Sequence, residues 1–558
     1  MKKLPVFVLL ILPAILFITA MLLHHAHGPY WISYNNDPEY PYLISSLVLA
    51  ESKQMILSDH PGATLQLLGA ATLKISHALN FSAKDNLEFA VLKNPEFYLT
   101  VLNMVLITFN TLLLCIIGLA TFILTKNIWL SLLLQFSPFL SNAMLTQGLP
   151  RISCEPLLLF SSLLLVLILV MMVVSESFPK SVHWYLITLA LVSGFGIATK
   201  VTFIPLLIIP LFVLPRLRNK IGFLFLTGLS VILWTWPIIS QYERIYRWFY
   251  LIFTHTGHYG FGKSGIIDIG VYFQNLLYLF GGNPLFFLIW FVALGFIFRF
   301  GLFSATRKIA WQDISFRVLA AVVVAQLCAV MMIAKHSSDY YLLPALSLSG
   351  FVLFLMFLYL QRINYFNRFD TKNIVFFIGI FFIFSSVWRI VDIKNVFIQN
   401  MTIKQESLAV HLKAESEYKN YLKIFLIRAS SPLSALAFGN YYTKALHSDS
   451  ALAFGNYFTK ALHSEVLRKI YGEAYFYDTI NGEFHTWTKV FLIEDVISKG
   501  YGDRIIFQGK LFEKNGDKLV CNTGSILQLR DVLRGEYETI YTLQGITIPK
   551  GSPFQPTS

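Results

Sequence analysis

The sequence predicts a polytopic α-helical membrane protein of about eleven transmembrane helices, followed by a C-terminal α+β extracytoplasmic domain. Three observations carry this. Of 558 residues, 56% are hydrophobic and only 13% charged, where soluble domains hold about 25% charged residues. The apolar runs approach 20 residues, the length of a spanning helix and about twice that of a barrel strand. Charge is also unevenly placed. Residues 391–558 hold 19 Lys/Arg and 17 Asp/Glu, so the chain before them carries +11 of the net +13.

Met1-Lys2-Lys3 precedes an apolar run, Leu4 to Leu23. Its length, and the lack of a small-x-small site before His24-His25-Ala26-His27, favour an uncleaved helix over a signal peptide. An outer loop follows, over residues 24–96. Further helices are expected near 97–125, 127–146, 153–175, 182–199, 201–215, 221–240, 280–299, 315–334, 341–361 and 373–391. The third of the eleven is short and polar, with Gln135, Ser137, Pro138 and Asn142. The segments placed inside hold 14 Lys/Arg and the short outer loops 6. That bias puts the N-terminus in the cytoplasm, and an odd helix count then puts the tail outside.

Two domains are expected, a membrane domain over 1–391 and the tail over 392–558. In the tail, Lys404 to Ile427 reads as an amphipathic helix. Tyr475 to Trp487 reads as a hairpin, because Asn481-Gly482 supplies the positive φ angles of a type I′ turn. Val490–Ile493, Arg504–Gln508, Leu519–Asn522 and Thr539–Leu543 are strand candidates. A tandem repeat lies here: SALAFGNYYTKALHSD over 434–449 is followed by SALAFGNYFTKALHSE over 450–465. Solenoids need about three or more units, so two copies read as a local duplication in a tolerant surface segment, with a duplicated ligand site as the competing reading.

Some functions are excluded. No basic patch on a soluble face suggests nucleic acid as a partner. Of Cys115, Cys154, Cys328 and Cys521, only the last lies in the tail, which therefore has no internal disulfide. No CxxC or Cys/His spacing suggests a structural metal.

The unusual polar residues fall on the outer side of the expected topology. Asp37-Pro38-Glu39 opens a span, Tyr40 to Met55, that reads as an amphipathic helix. Asp37 fits an N-cap with Pro38 at the first helical position. It equally fits a general base at the membrane surface, with Glu39 as its partner. Asp59-His60-Pro61-Gly62 precedes the apolar helix Ala63–Leu79, and a carboxylate beside an imidazole suits phosphate, metal or proton transfer. Arg151 and Glu155 are spaced for an i,i+4 ion pair. Lys200 interrupts GFGIATKVTFIPL, so it either snorkels to the interface or meets an anion. His258 and Lys263 lie in a Gly-rich loop without P-loop spacing. Lys335-His336-Ser337-Ser338-Asp339-Tyr340-Tyr341-Leu342-Leu343-Pro344 opens the tenth helix. Together these groups suit a substrate with an apolar tail in lipid and a phosphate at the interface.

The acidic DPEY motif in the first outer loop, the D-H-P-G motif, the lysine ending GFGIATK, and H-x-x-x-Y-Y-L-L-P resemble the GT-C glycosyltransferases. Within that superfamily the chain is most similar to the protein mannosyltransferase and lipid A aminoarabinose transferase group. The resemblance covers about 390 residues. Here Pro38 intervenes between the two acids of the first motif, and the second motif is Asp59-His60-Pro61.

By resemblance, the donor is a polyprenyl-phosphate-linked sugar, the reaction is inverting, and the acceptor is a glycan, lipid or protein. Asp37 is then the base, with Asp59 and Glu39 as further catalytic acids. Lys200, His60 and His336 hold the leaving phosphate, and Glu155, His258, Lys263 and Tyr340 complete the substrate site. A divalent cation is a candidate cofactor, with Asp37 and Asp59 as candidate ligands. The expected location is a bacterial inner membrane, among its lipids. A flippase for lipid-linked saccharide is the competing expectation, and so is a polysaccharide polymerase or ligase. A transporter would carry polar, broken helices near the bilayer midplane and repeated halves. The expected midplane residues are mostly apolar, and the halves show no repeat.

Overall fold

The computed structural model describes residues 4–32, 36–53, 61–80, 85–146, 148–175, 181–257, 262–302, 307–336, 338–363, 371–426, 429–445, 462–478, 483–491, 504–515 and 518–528. Within these, the side chains of 4–6, 36–37, 371–383, 442–445, 478, 483, 509–515 and 518–528 are not described. In chain order the first nine α-helices are α1 (Leu4–His27), α2 (Asn36–Ala50), α3 (Ala63–Leu79), α4 (Leu87–Lys93), α5 (Pro95–Thr125), α6 (Ile128–Gln135), α7 (Asn142–Thr146), α8 (Cys154–Val174) and α9 (Val182–Thr199).

The chain is a polytopic helical membrane protein. Among the described residues, eight helical segments are long and apolar enough to cross a membrane. They are Phe7–His27, Pro95–Thr125, Cys154–Val174, Val182–Thr199, Leu217–Thr254, Pro284–Gly301, Ile314–Ile333 and Asp339–Arg362. Three of the expected eleven, at 127–146, 201–215 and 373–391, are not among these eight. The polar third span is broken into α6, a 3-10 turn (Ser137–Leu140) and α7, with Pro138 in the turn. A proline has no N–H to continue the ladder and clashes with the preceding turn. The span expected at 201–215 is a shorter apolar piece, Val201–Val213, that begins as 3-10 helix with Pro205 inside. The one expected at 373–391 lies in a helix of 46 residues, Thr371–Ser416, where the side chains of 371–383 are outside the described residues.

The described residues form two compact units. The first is Met1–His24, Asp59–Thr64 and Asn103–Val396. Its centre is α8, buried all round from Cys154 to Leu159, as expected of a helix that is hydrophobic on every face. Polar side chains inside this unit bridge helices through backbone carbonyls. Asn110 Nδ2 donates to the Pro156 carbonyl at 3.0 Å, and Gln135 Nε2 to those of Leu9 and Leu114 at 2.9 and 3.2 Å. Ser137 Oγ donates to the Ser347 carbonyl at 2.5 Å. The polar residues of the broken span therefore serve as interhelical hydrogen bonds, a common use of such side chains in membrane bundles.

The second unit is His25–Ser58, Leu65–Leu102 and Phe397–Ser558. The first outer loop thus groups with the tail. Its helix α2 packs against the helix Pro432–Ala445, which lies mostly in the first repeat copy. α2 was expected to be amphipathic, yet every residue from Glu39 to Val48 is buried. The reason is a partner on more than one side. A Cβ at Gly439 would stand 3.0 Å from Tyr40, and one at Gly69 of α3 only 2.1 Å from Ser46 Oγ. Only glycine permits both close approaches. α2 ends in a Schellman turn, with Lys53 N–H on the Val48 carbonyl and Ser52 N–H on that of Leu49, both at 3.0 Å. Ser52 takes the left-handed position at φ 59°, which usually falls to glycine.

The tail carries a six-stranded mixed sheet in the order β4-β3-β2-β1-β5-β6. The strands are β1 (Leu422–Leu426), β2 (Tyr475–Asp478), β3 (Glu483–Thr486), β4 (Val490–Phe491), β5 (Ile505–Asn515) and β6 (Lys518–Gln528). β1 runs parallel to β2 and β5, and the other pairs are antiparallel. The helix expected through Ile427 ends at Ser416, and its last residues form the buried central strand β1. The expected hairpin is present as β2 and β3, paired from Tyr475 with Thr486 to Asp478 with Glu483. The candidate at Thr539–Leu543 lies outside the described residues.

Parallel strands need a long crossover, and the β1–β2 crossover holds both repeat copies. Asn440 of the first copy meets the end of the second: its Nδ2 donates to Ser464 Oγ at 3.2 Å, and its Oδ1 accepts the His463 N–H at 3.3 Å. The described residues stop at Ala445 and resume at Leu462. Deleting 446–461 removes one repeat length and restores the order T-K-A-L-H-S-E of a single copy. The deletion is expected to fold with a thermal midpoint within about 4 °C of the parent, a shift of under ~1 kcal/mol in a domain of this size. Thermal unfolding in detergent checks this, and loss of folded protein would show that both copies are structural.

Candidate functional site

In the first unit, three of the motifs read from the sequence converge on Lys200. Lys200 caps the C-terminus of α9, where a helical chain turns extended (φ −161°, ψ 138°). The extended backbone forms an antiparallel bridge with Pro61. The Gly62 N–H donates to the Thr199 carbonyl at 3.2 Å, and the Thr64 and Thr199 hydroxyls are 2.7 Å apart. The D-H-P-G motif is therefore fixed to the GFGIATK motif, more than a hundred residues away in sequence. Asp59 and His60 themselves lie outside the described residues, as does His258.

The Lys200 side chain does not snorkel. It is 5% exposed, and its Nζ lies 2.5 Å from Glu155 Oε1, in the first turn of α8. The rings of Tyr341 and Tyr340 stand 4.4 and 5.4 Å from the same nitrogen, within cation–π range. The H-x-x-x-Y-Y motif thus supplies the wall of the lysine's cage, with Tyr341 nearer than the Tyr340 singled out from sequence. The spacing of Arg151 and Glu155 was expected to be helical, but the helix begins only at Cys154. Arg151 precedes α8 and is not helical, and the Glu155 carboxylate goes to Lys200. A buried pair of this kind is retained only where the geometry offsets the cost of removing both charges from water. Glu155 takes one of the three N–H donors of the ammonium.

The other first-unit candidates are placed as follows. His336 is half-buried just beyond the helix Ile314–Ile333, with its N–H on the Ile333 carbonyl. Lys263 is exposed, in a turn closed by the bridge between His255 and Ser264. Asp339, beside the tyrosines in sequence, accepts from Asn283 Nδ2 at 3.2 Å.

The second unit holds Asp37 and Glu39. α2 begins at Asn36, one residue before Asp37, so Asp37 stands inside the first turn instead of capping it. A negative charge there is favoured by the helix dipole. Glu39 is 1% exposed. Sequence spacing gave no hint of the group that fixes this segment, Glu96, at the start of α5. Its Oε2 accepts the Tyr30 N–H and its Oε1 accepts the Tyr40 hydroxyl, each at 2.8 Å. One carboxylate therefore grips the chain on both sides of Asp37. Burial, with Glu96 as the next cause, holds the Tyr40 phenol well above its ordinary range, so it stays a donor.

Compared with known proteins, the chain matches no family model, no curated protein and no solved structure.

Proposed function

We propose that the chain is a membrane glycosyltransferase that takes sugar from a polyprenyl-phosphate donor at the extracytoplasmic face, with the N-terminus inside. The supporting observation is the meeting of three motifs at Lys200: Pro61-Gly62 pairs with its backbone, and Tyr340-Tyr341 stand at its buried ammonium. Three motifs distant in sequence share one place, at the ends of apolar helices, where a lipid-borne phosphate would arrive.

In this reaction an acceptor hydroxyl attacks the anomeric carbon of the sugar. The bond from that carbon to the phosphate oxygen breaks, polyprenyl phosphate leaves, and the configuration inverts. Asp37 takes the hydroxyl proton. Lys200, through the N–H donors that Glu155 leaves, acts with His60 and His336 on the negative charge growing on the leaving phosphate. Such preorganised charge is usually a large part of catalysis. Asn110 and Gln135, polar residues within the helices, donate to carbonyls of neighbouring helices, a structural use that favours an enzyme over a carrier.

Mass spectrometry of lipid extracted from the purified protein tests this. A polyprenyl-phosphate sugar, depleted from Lys200→Met, Glu155→Gln protein, is the expected result. Ordinary phospholipid alone from both proteins would count against the reading.

A further inference from the structure

A second cluster of chemistry-bearing side chains lies in the other unit, in none of the candidate-site motifs above, with one member in the second repeat copy. Glu51 sits at the cap of α2, aimed by the Schellman turn. Glu88 is in the first turn of α4, whose N-cap Asn86 accepts the Phe89 N–H at 2.9 Å. His463 precedes the helix Ser464–Tyr471. Their ligand atoms lie within 4.8 Å of one another.

The three segments are held independently of this cluster. Tyr471 Oη donates to the Leu92 carbonyl at 2.8 Å, which ties the helix after His463 to α4. Asn440 holds the His463 backbone. The cluster is therefore preorganised by bonds that do not depend on an ion.

His463 and Glu88 meet at 2.5 Å through Nδ1 and Oε1, and the imidazole is 0% exposed. Nδ1 is thus the ring nitrogen that faces the cluster, while Nε2, on the far side of the ring, is buried with no hydrogen-bond partner. A histidine–carboxylate pair accounts for two of the three groups. It does not account for a second carboxylate brought to the same point, where like charges repel. Lys53 meets Glu51 Oε2 at 2.7 Å and offsets one of the two negative charges.

We propose that Glu51, Glu88 and His463 form a binding site for a divalent transition-metal ion, which clamps the first outer loop to the tail. One imidazole with two carboxylates suits Zn²⁺ or Mn²⁺ better than the hard, all-oxygen-liking Mg²⁺ or Ca²⁺. Metal bonds of about 2.0–2.2 Å are reached by opening the His463–Glu88 contact slightly and drawing Glu51 inward. The ion supplies structure: it joins the end of the helix bearing Asp37 to the crossover that holds the duplicated segment. The proposal is independent of the glycosyltransferase reading.

The test uses the full chain in detergent, stripped with chelator and then titrated separately with Zn²⁺, Mn²⁺ and Mg²⁺. Bound metal is counted by mass spectrometry and stability is followed by thermal unfolding. One equivalent of Zn²⁺ or Mn²⁺ with a raised midpoint is expected. Glu51→Gln keeps shape and leaves the His463–Glu88 contact in place, so it should fold and yet bind at least ~10-fold more weakly, as a lost ligand costs no less than a lost supporting contact. His463→Gln should do the same, whereas His447→Asn, the equivalent position in the first copy, should leave binding unchanged. Folded protein without saturable binding would overturn the proposal and leave an ion pair only. Unchanged affinity in Glu51→Gln, or loss in His447→Asn, would overturn the ligand assignment.

Discussion

Asp37→Asn is expected to abolish most sugar transfer while leaving the protein folded. Removing a general base costs about 10²–10⁴ in rate. The same change removes one negative charge from the first turn of α2, and a dipole interaction of that kind contributes about 0.3–1 kcal/mol. The helix itself is held elsewhere. Glu96 grips Tyr30 and Tyr40 on either side, and the close approach at Gly439 seats Tyr40 against the tail helix. Transfer and thermal unfolding measured on one preparation therefore separate the two roles. Near-parental transfer would leave Asp37 as a structural acid of the first turn. Stable protein that retains donor but does not transfer would assign it the proton. Asp59→Asn is the necessary comparison, since both acids stand in motifs of the same kind.

Lys200→Met should act first on stability, and this separates it from Asp37. The ammonium is caged by Glu155, Tyr340 and Tyr341, and removing it takes the opposite charge of the pair from a buried Glu155 carboxylate. Breaking a buried pair by removing one partner costs about 3–5 kcal/mol. A loss of donor binding in the single variant would thus say little about phosphate. The informative variant is Lys200→Met combined with Glu155→Gln, which removes both charges and should restore most of the lost stability. If Lys200 also meets the donor phosphate, the restored double variant still binds polyprenyl phosphate weakly. Recovery of both stability and binding would make the pair purely structural.

Local pattern explains what the sequence made legible. Eight long apolar helices, α3 at Ala63–Leu79 and the pairing of β2 with β3 are each written in a window of a few turns, and each is found; the Asn481-Gly482 turn itself lies outside the described residues. β1 was not legible. Leu-Lys-Ile-Phe-Leu continues the amphipathic run before it, and a short apolar run reads equally as helix or buried strand. Only its parallel partners, β2 and β5, decide the matter. The broken third span shows the opposite case, where Gln135, Ser137 and Pro138 marked the irregularity in advance. At the candidate site, Lys200 and Tyr340 stood out because charge and aromatic rings are conspicuous beside apolar runs. Glu155 was also singled out, but its pairing with Lys200, 45 residues away, was not, and Glu96, 56 residues from its partner Tyr40, went unseen. Side chains that meet across such distances leave no spacing to read. The Glu51–Glu88–His463 cluster was hidden for the same reason.

The most direct measurement is made in proteoliposomes containing the purified chain and a polyprenyl-phosphate-linked sugar, with the fate of the lipid followed by mass spectrometry. A glycosyltransferase releases free polyprenyl phosphate at the outer face, and the sugar appears on an acceptor with its anomeric configuration inverted. Lipid-linked sugar that crosses the bilayer intact, with no polyprenyl phosphate released, would contradict the proposed reaction and assign the chain to transport.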